Sequence, residues 1–234
     1  MPANKSILKY SKIQIATVIA ILFHIIGFAG ILFGNKDFFI HTSALNLLLM
    51  FVLILYTQNK INKPFLFFVL ICFFFGIVVE IIGTQTSLLF GKYSYGNGLG
   101  PKLFNVPIVI GLNWFIVIFC CGITIETILL KLSKSMDTYS ADQNKILKRL
   151  SVLFDGATIA VFFDWVMEPV AVKLNFWKWE GDGSVPFYNY VCWFVLSMIF
   201  LFFFRHLQFE KRNKFAVHLL LIQTMFFLLL RTFL

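Results

Sequence analysis

The chain has 234 residues, of which 59% are hydrophobic and only 13% charged, about half the charged share of a soluble domain. Its net charge of +9 would suit nucleic acid or an anionic lipid surface. The basic residues flank long apolar runs, however, which favours the bilayer and argues against a nucleic-acid partner.

Crossing about 30 Å of hydrocarbon takes roughly 20 apolar residues. Seven segments meet this: 13–33, 40–57, 64–82, 107–130, 150–172, 187–205 and 215–233. The expected fold is all-α, a polytopic bundle of about seven transmembrane helices forming one integral membrane domain over 1–234. The first apolar run is too long for a cleaved signal peptide, and no small-residue cleavage site follows it. The second span is near the lower limit of length, which leaves six or eight crossings open.

Between the third and fourth spans, Gly91 to Pro101 (GKYSYGNGLGP) is rich in glycine and reads as irregular backbone with tight turns. Residues 132–149 are polar and read as a solvated inner loop. Between the fifth and sixth spans, Trp177 and Trp179 suit the membrane interface, where an indole has one apolar and one wet side. Pro169 disfavours α geometry at Glu168, so the fifth span is expected to end or kink there.

Lys and Arg set the orientation. Fourteen fall on the side of the N-terminus, including Lys5, Lys9, Lys134, Lys145 and Lys148, and six on the other. The asymmetry predicts a multi-pass protein of the cell membrane with a cytoplasmic N-terminus and the C-terminus outside.

Five of the eleven acidic residues lie inside the spans: Glu80, Glu126, Asp155, Asp164 and Glu168. No Lys or Arg sits well inside any span. Lone carboxyls are costly in hydrocarbon, so such residues are functional candidates by default. At the helical rise, Glu80 lies about 24 Å from the inner end of its span, and Asp164 and Glu168 about 21 and 27 Å. With Asn113, Trp114, Asn189 and Trp193 they form one outer layer, while Glu126 and Asp155 belong to the opposite layer. Asp164 and Glu168, four residues apart, share a helix face.

Other chemistry finds little footing. Cys72, Cys120, Cys121 and Cys192 form no CxxC and read as packing residues. His24, His41, His206 and His218 have no ligand spacing, so no metal is expected. Gly96, Gly98 and Gly100 lack the strand–turn–helix context of a dinucleotide fold, so no cofactor is expected.

Two blocks carry a family resemblance: EIIGTQTSLLFGKYSYGNGLGPKLFNVPIVIGLNWF, Glu80 to Phe115, and DWVMEPVAVKLNFWKWEGDGSVPFYNYVCWF, Asp164 to Phe194. With the ordered set E..G, G.YSY, LGP, VP and W, then D...EP, W.W, P..N and W, the chain resembles the CruF-type carotenoid hydratases of the wider carotenoid biosynthesis membrane family. The resemblance implies addition of water across the terminal C1′–C2′ double bond of an acyclic ψ end group. It implies γ-carotene-like or acyclic C50 bisanhydrobacterioruberin-type substrates, and leaves room for association with other carotenoid enzymes.

The acids fit that chemistry. A trisubstituted alkene is a weak base and needs a strong donor, which a buried neutral carboxylic acid supplies. We expect Asp164 to donate the proton, with Glu80 and Glu168 competing to activate water. Asn113 and Asn189 would orient water or a carboxyl, and Trp114, Trp193 and Tyr93 would face the cation, with Tyr95 beside them. A cofactor-free cyclase would use the same protonation. A proton-coupled transporter would instead need a path joining the two acid layers, whereas a lipid-facing groove ending at the outer acids would favour the enzyme.

Overall fold

A computed structural model describes residues 11–135 and 141–234. The helices are α1 (Lys12–Phe33), α2 (Lys36–Thr57), α3 (Lys63–Thr86), α4 (Val109–Ser135), α5 (Ala141–Lys173), α6 (Phe187–His206) and α7 (Lys214–Phe233). All seven are long and apolar enough to cross a bilayer, which makes the chain a multi-pass membrane protein. Four short strands join them: β1 (Tyr93–Tyr95), β2 (Lys102–Leu103), β3 (Val106–Pro107) and β4 (Trp177–Trp179). Lys5 and Lys9, used above for orientation, lie outside the described residues.

Local chemistry explains where the helices begin. Ser11 and Gln14 form a reciprocal capping box at α1. Asn35, Asn62 and Asn213 each accept a backbone N–H of the first turn of α2, α3 and α7. The Asn35 cap starts α2 at Lys36, ahead of the apolar run at 40, because the polar first turn is helical although it is not hydrophobic. Likewise α4 reaches Ser135 and α5 starts at Ala141. Much of 132–149, expected as a loop, is therefore helical, and residues 136–140 lie outside the described residues.

α4 is the most buried span and packs against α2, α3, α5, α6 and α7, while α2 is the least buried. Lipid is as apolar as the helices, so packing contacts rather than water exclusion hold such a bundle together. Much of that packing is aromatic. Phe115 stacks on Phe119 at 5.3 Å, Phe65, Phe68 and Phe204 close around them edge to face, and Phe209 stacks on Phe119 at 6.5 Å. On this side of the bundle Asn213 donates to Gln58 and Thr57, and Gln58 donates to the Glu210 carbonyl, tying the α2–α3 turn to the α6–α7 turn.

The opposite side carries the element that matters most for the site. β1 pairs antiparallel with β4, setting Tyr93 opposite Trp179 and Tyr95 opposite Trp177. The α3–α4 and α5–α6 connections, which the sequence presents as separate loops, are thus one two-stranded ribbon. Alternation along the strands puts these four aromatics on one face, with Ser94 and Lys178 on the other.

Candidate functional site

One face of α3 carries Gly76, Glu80 and Gly83 at helical spacing. A Cβ on Gly76 would lie 2.8 Å from Trp114 Cδ1, and one on Gly83 would lie 2.9 Å from Tyr93 Oη. Glycine at both positions lets the aromatics lie against the helix on either side of Glu80. Trp114 Nε1 donates to Glu80 Oε1 at 2.9 Å, and the Tyr93 and Tyr95 hydroxyls donate to Oε2 at 2.5 and 2.8 Å. Burial, reinforced by the Glu80 charge, pushes both phenols well above the usual tyrosine range, so they act as O–H donors.

Asp164 and Glu168 share one face of α5 and are both buried. Trp177 and Trp179 each donate an indole N–H to Glu168 Oε2 at 3.0 Å. Asn189 Nδ2 donates to Asp164 Oδ2 at 2.8 Å. Asp164 Oδ1 is buried with no hydrogen-bond partner, a rarity that calls for an explanation.

The helix does not end at Glu168 as expected: Pro169 lies inside α5, which continues to Lys173. Proline removes the N–H that would bond the carbonyl four residues back. That carbonyl, Trp165 O, accepts instead from Arg231 Nη1 of α7 at 3.3 Å, with the guanidinium 4.3 Å from the Trp165 ring centroid. The substitute bond accounts for the intact helix, and so for Glu168 staying in line with Asp164.

Glu80, Tyr93, Tyr95, Asn113, Trp114, Asp164, Glu168, Asn189 and Trp193 all line one cavity of about 30 Å³, room for a single water. Trp177 and Trp179 line it too, a place that the interfacial preference of indoles does not by itself reveal. Their W.W spacing, two apart on a strand, was the available signal. Trp114 and Trp193 stack on each other at 4.2 Å with 18° between planes, so each spends one face on the other. Asn113 bonds none of the carboxyls.

Asn113, with Ile110, Met167 and Trp177, also borders a larger groove of about 480 Å³ between α1, α2, α4, α5 and α7. Its walls are mostly apolar, and they include Phe23, Ile26, Phe38 and Leu45, which are exposed on the lipid-facing surface. The groove therefore opens on the outside of the bundle and shares a wall with the acid cavity.

The opposite layer joins neither space. Glu126 pairs with Arg205 at 2.9 Å, a basic partner from the last turn of α6 that the span-by-span reading did not provide. Asp155 is exposed and accepts from Ser151.

The family described as carotenoid biosynthesis protein matches residues 41–234. The chain is 29% identical over 129 residues to a bisanhydrobacterioruberin hydratase of Haloarcula japonica, a match covering 54% of this chain and 40% of that relative. The match thus spans about two fifths of the length of the relative. No solved structure matches.

Proposed function

Because the chain belongs to the carotenoid biosynthesis protein family, we propose that it is a carotenoid hydratase, adding water to the terminal C1′–C2′ double bond of an acyclic end group. The observation that carries this reading is the junction of two spaces. An apolar groove open on the bundle surface shares a wall with a cavity large enough for one water and lined by a carboxyl with a partnerless oxygen. The named hydratase relative supports the same reaction class.

In the proposed mechanism the Asp164 carboxyl, protonated on Oδ1, gives its proton to C2′ of the alkene. The π pair forms the new C–H bond and leaves a tertiary cation at C1′. The water oxygen attacks C1′ and passes a proton to Glu168, whose Oε1 makes no bond to the indoles. Return of that proton to Asp164, one helical turn away, restores the starting state and leaves a tertiary alcohol. Glu80 suits neither role, because its two oxygens already accept three hydrogen bonds. It acts as the fixed negative charge facing the cation, held in place before the reaction starts.

Expression in a host accumulating lycopene and γ-carotene tests the reading. Pigments one water heavier are expected. Products isomeric with the substrate would identify a cyclase, and unchanged pigments would overturn both. The Lys and Arg asymmetry would place the cavity on the outer side.

A further inference from the structure

A tertiary cation captures whichever oxygen lone pair touches it, so its own chemistry does little to choose water over another small nucleophile. Selection therefore falls to what the cavity admits. At about 30 Å³ the cavity holds one water. Methanol has two heavy atoms to water's one and needs roughly twice the room.

The ribbon wall of the cavity has an inner and an outer end. Tyr93 and Trp179 are both buried, with ring centroids 5.2 Å apart. Tyr95 and Trp177 meet edge to face at 5.9 Å and are only half-buried, so this second pair is the part of the ribbon that separates the cavity from the surroundings. The pair is held at tip and backbone alike. Tyr95 Oη donates to Glu80 and Trp177 Nε1 to Glu168. Gly96 N donates to the Phe176 carbonyl at 2.9 Å, carrying the ladder one residue past the pair. Lys102 Nζ donates to the Tyr95 carbonyl at 2.9 Å and to Asn97 Oδ1 at 3.1 Å, fastening the β2–β3 hairpin to β1. Neither ring can swing aside without breaking a hydrogen bond to a carboxyl, and a rigid wall resists overfilling.

We propose that Tyr95 and Trp177 form a size fence that admits water to the cavity and keeps larger nucleophiles from the cation. The proposal rests on the hydratase reading. Were methanol admitted, its oxygen would form the new bond to C1′, its hydroxyl proton would pass to Glu168, and the product would be a methyl ether in place of the alcohol. The two rings thus determine specificity for the nucleophile without taking part in the proton transfers.

The test is a competition between nucleophiles. Purified protein in lipid nanodiscs is given lycopene in buffer containing methanol at a proportion that leaves its melting temperature unchanged, and alcohol and methyl ether are separated by mass. From the wild-type chain the ether is expected at least about tenfold below the methanol share of the solvent. Tyr95→Val and Trp177→Leu each remove one ring and are expected to raise the ether to about that share. Tyr95→Phe keeps the ring but loses the bond to Glu80, and is expected to turn over more slowly while staying selective for water. That contrast separates a fence from a hydrogen-bond donor. Ratios are read within each protein's own products, so a slow variant still reports, and the wild-type ratio decides where a variant fails to fold. Ether at the solvent share from the wild-type chain, or ether equally scarce from the wild-type chain and both ring-removing variants, overturns the fence and leaves the hydratase reading standing. Neither alcohol nor ether from the wild-type chain overturns the hydratase reading itself.

Discussion

Tyr93 and Trp179 stand opposite each other across the β1–β4 ribbon, yet their polar atoms reach different carboxyls. The Tyr93 hydroxyl donates to Glu80 of α3 and the Trp179 indole to Glu168 of α5. The ribbon thus clamps two transmembrane helices through their buried acids. It positions the carboxyls from above while α4, through Trp114, holds Glu80 from the side.

Loss of an indole donor should misplace Glu168 without unfolding the bundle. Trp177→Phe and Trp179→Phe each remove a hydrogen bond to a carboxylate and are expected to slow hydration about tenfold to a hundredfold. The double variant should cost less than the product of the two single effects, since both donors serve one oxygen. Pigment yield per unit of purified protein measures this. Rates at the wild-type level in both single variants would remove the clamp from the mechanism.

Glu80→Ala should be a stability variant as much as an activity variant. It leaves Trp114, Tyr93 and Tyr95 as donors without their common acceptor, at about 1–3 kcal/mol for each that stays buried and unpaired. A fall of several degrees in detergent melting temperature is expected, with a smaller fall for Tyr95→Phe.

Gly83→Ala puts a methyl 2.9 Å from Tyr93 Oη and is expected to push the hydroxyl off Glu80, lowering both melting temperature and hydration rate. Gly181→Ala, where no atom lies within 4 Å, is the control for the same substitution in the α5–α6 connection, although its positive φ adds local strain. Equal activity loss in both variants would contradict the close-approach argument.

Arg231 and Pro169 should be energetically coupled. Arg231→Leu strips the bond that replaces the missing proline N–H and is expected to destabilise the protein by about 1 kcal/mol. In a Pro169→Ala background, where the backbone makes its own bond, the cost should largely vanish. A double-mutant cycle on melting temperature reads the coupling, and additive effects would sink the explanation for the unbroken α5.

Much of this architecture was legible beforehand. Seven apolar runs announce seven helices, and helical rise alone gathers Glu80, Asn113, Trp114, Asp164, Glu168, Asn189 and Trp193 at one depth. The ribbon was not legible, because β1 and β4 pair residues 93–95 with 177–179 and no local periodicity records a partner that distant in sequence. Trp177 and Trp179 were therefore assigned by their general liking for interfaces rather than by the acid beneath them. The continuation of α5 past Pro169 was not legible for a similar reason: the donor to the Trp165 carbonyl is Arg231, a side chain on another helix. Glu126 gives no sign of its partner in the sequence, because Arg205 lies in the last turn of another helix, 79 residues away.

In the proposed reaction, water is added at the Asp164–Glu168 cavity. Purified protein supplied with lycopene in ¹⁸O-labelled water, beside its Asp164→Asn variant, tests it most directly. A carotenoid alcohol carrying one labelled oxygen is expected from the wild-type chain and none from the variant. Products of unchanged mass from the wild-type chain, or labelled alcohol at equal yield from both proteins, would contradict it.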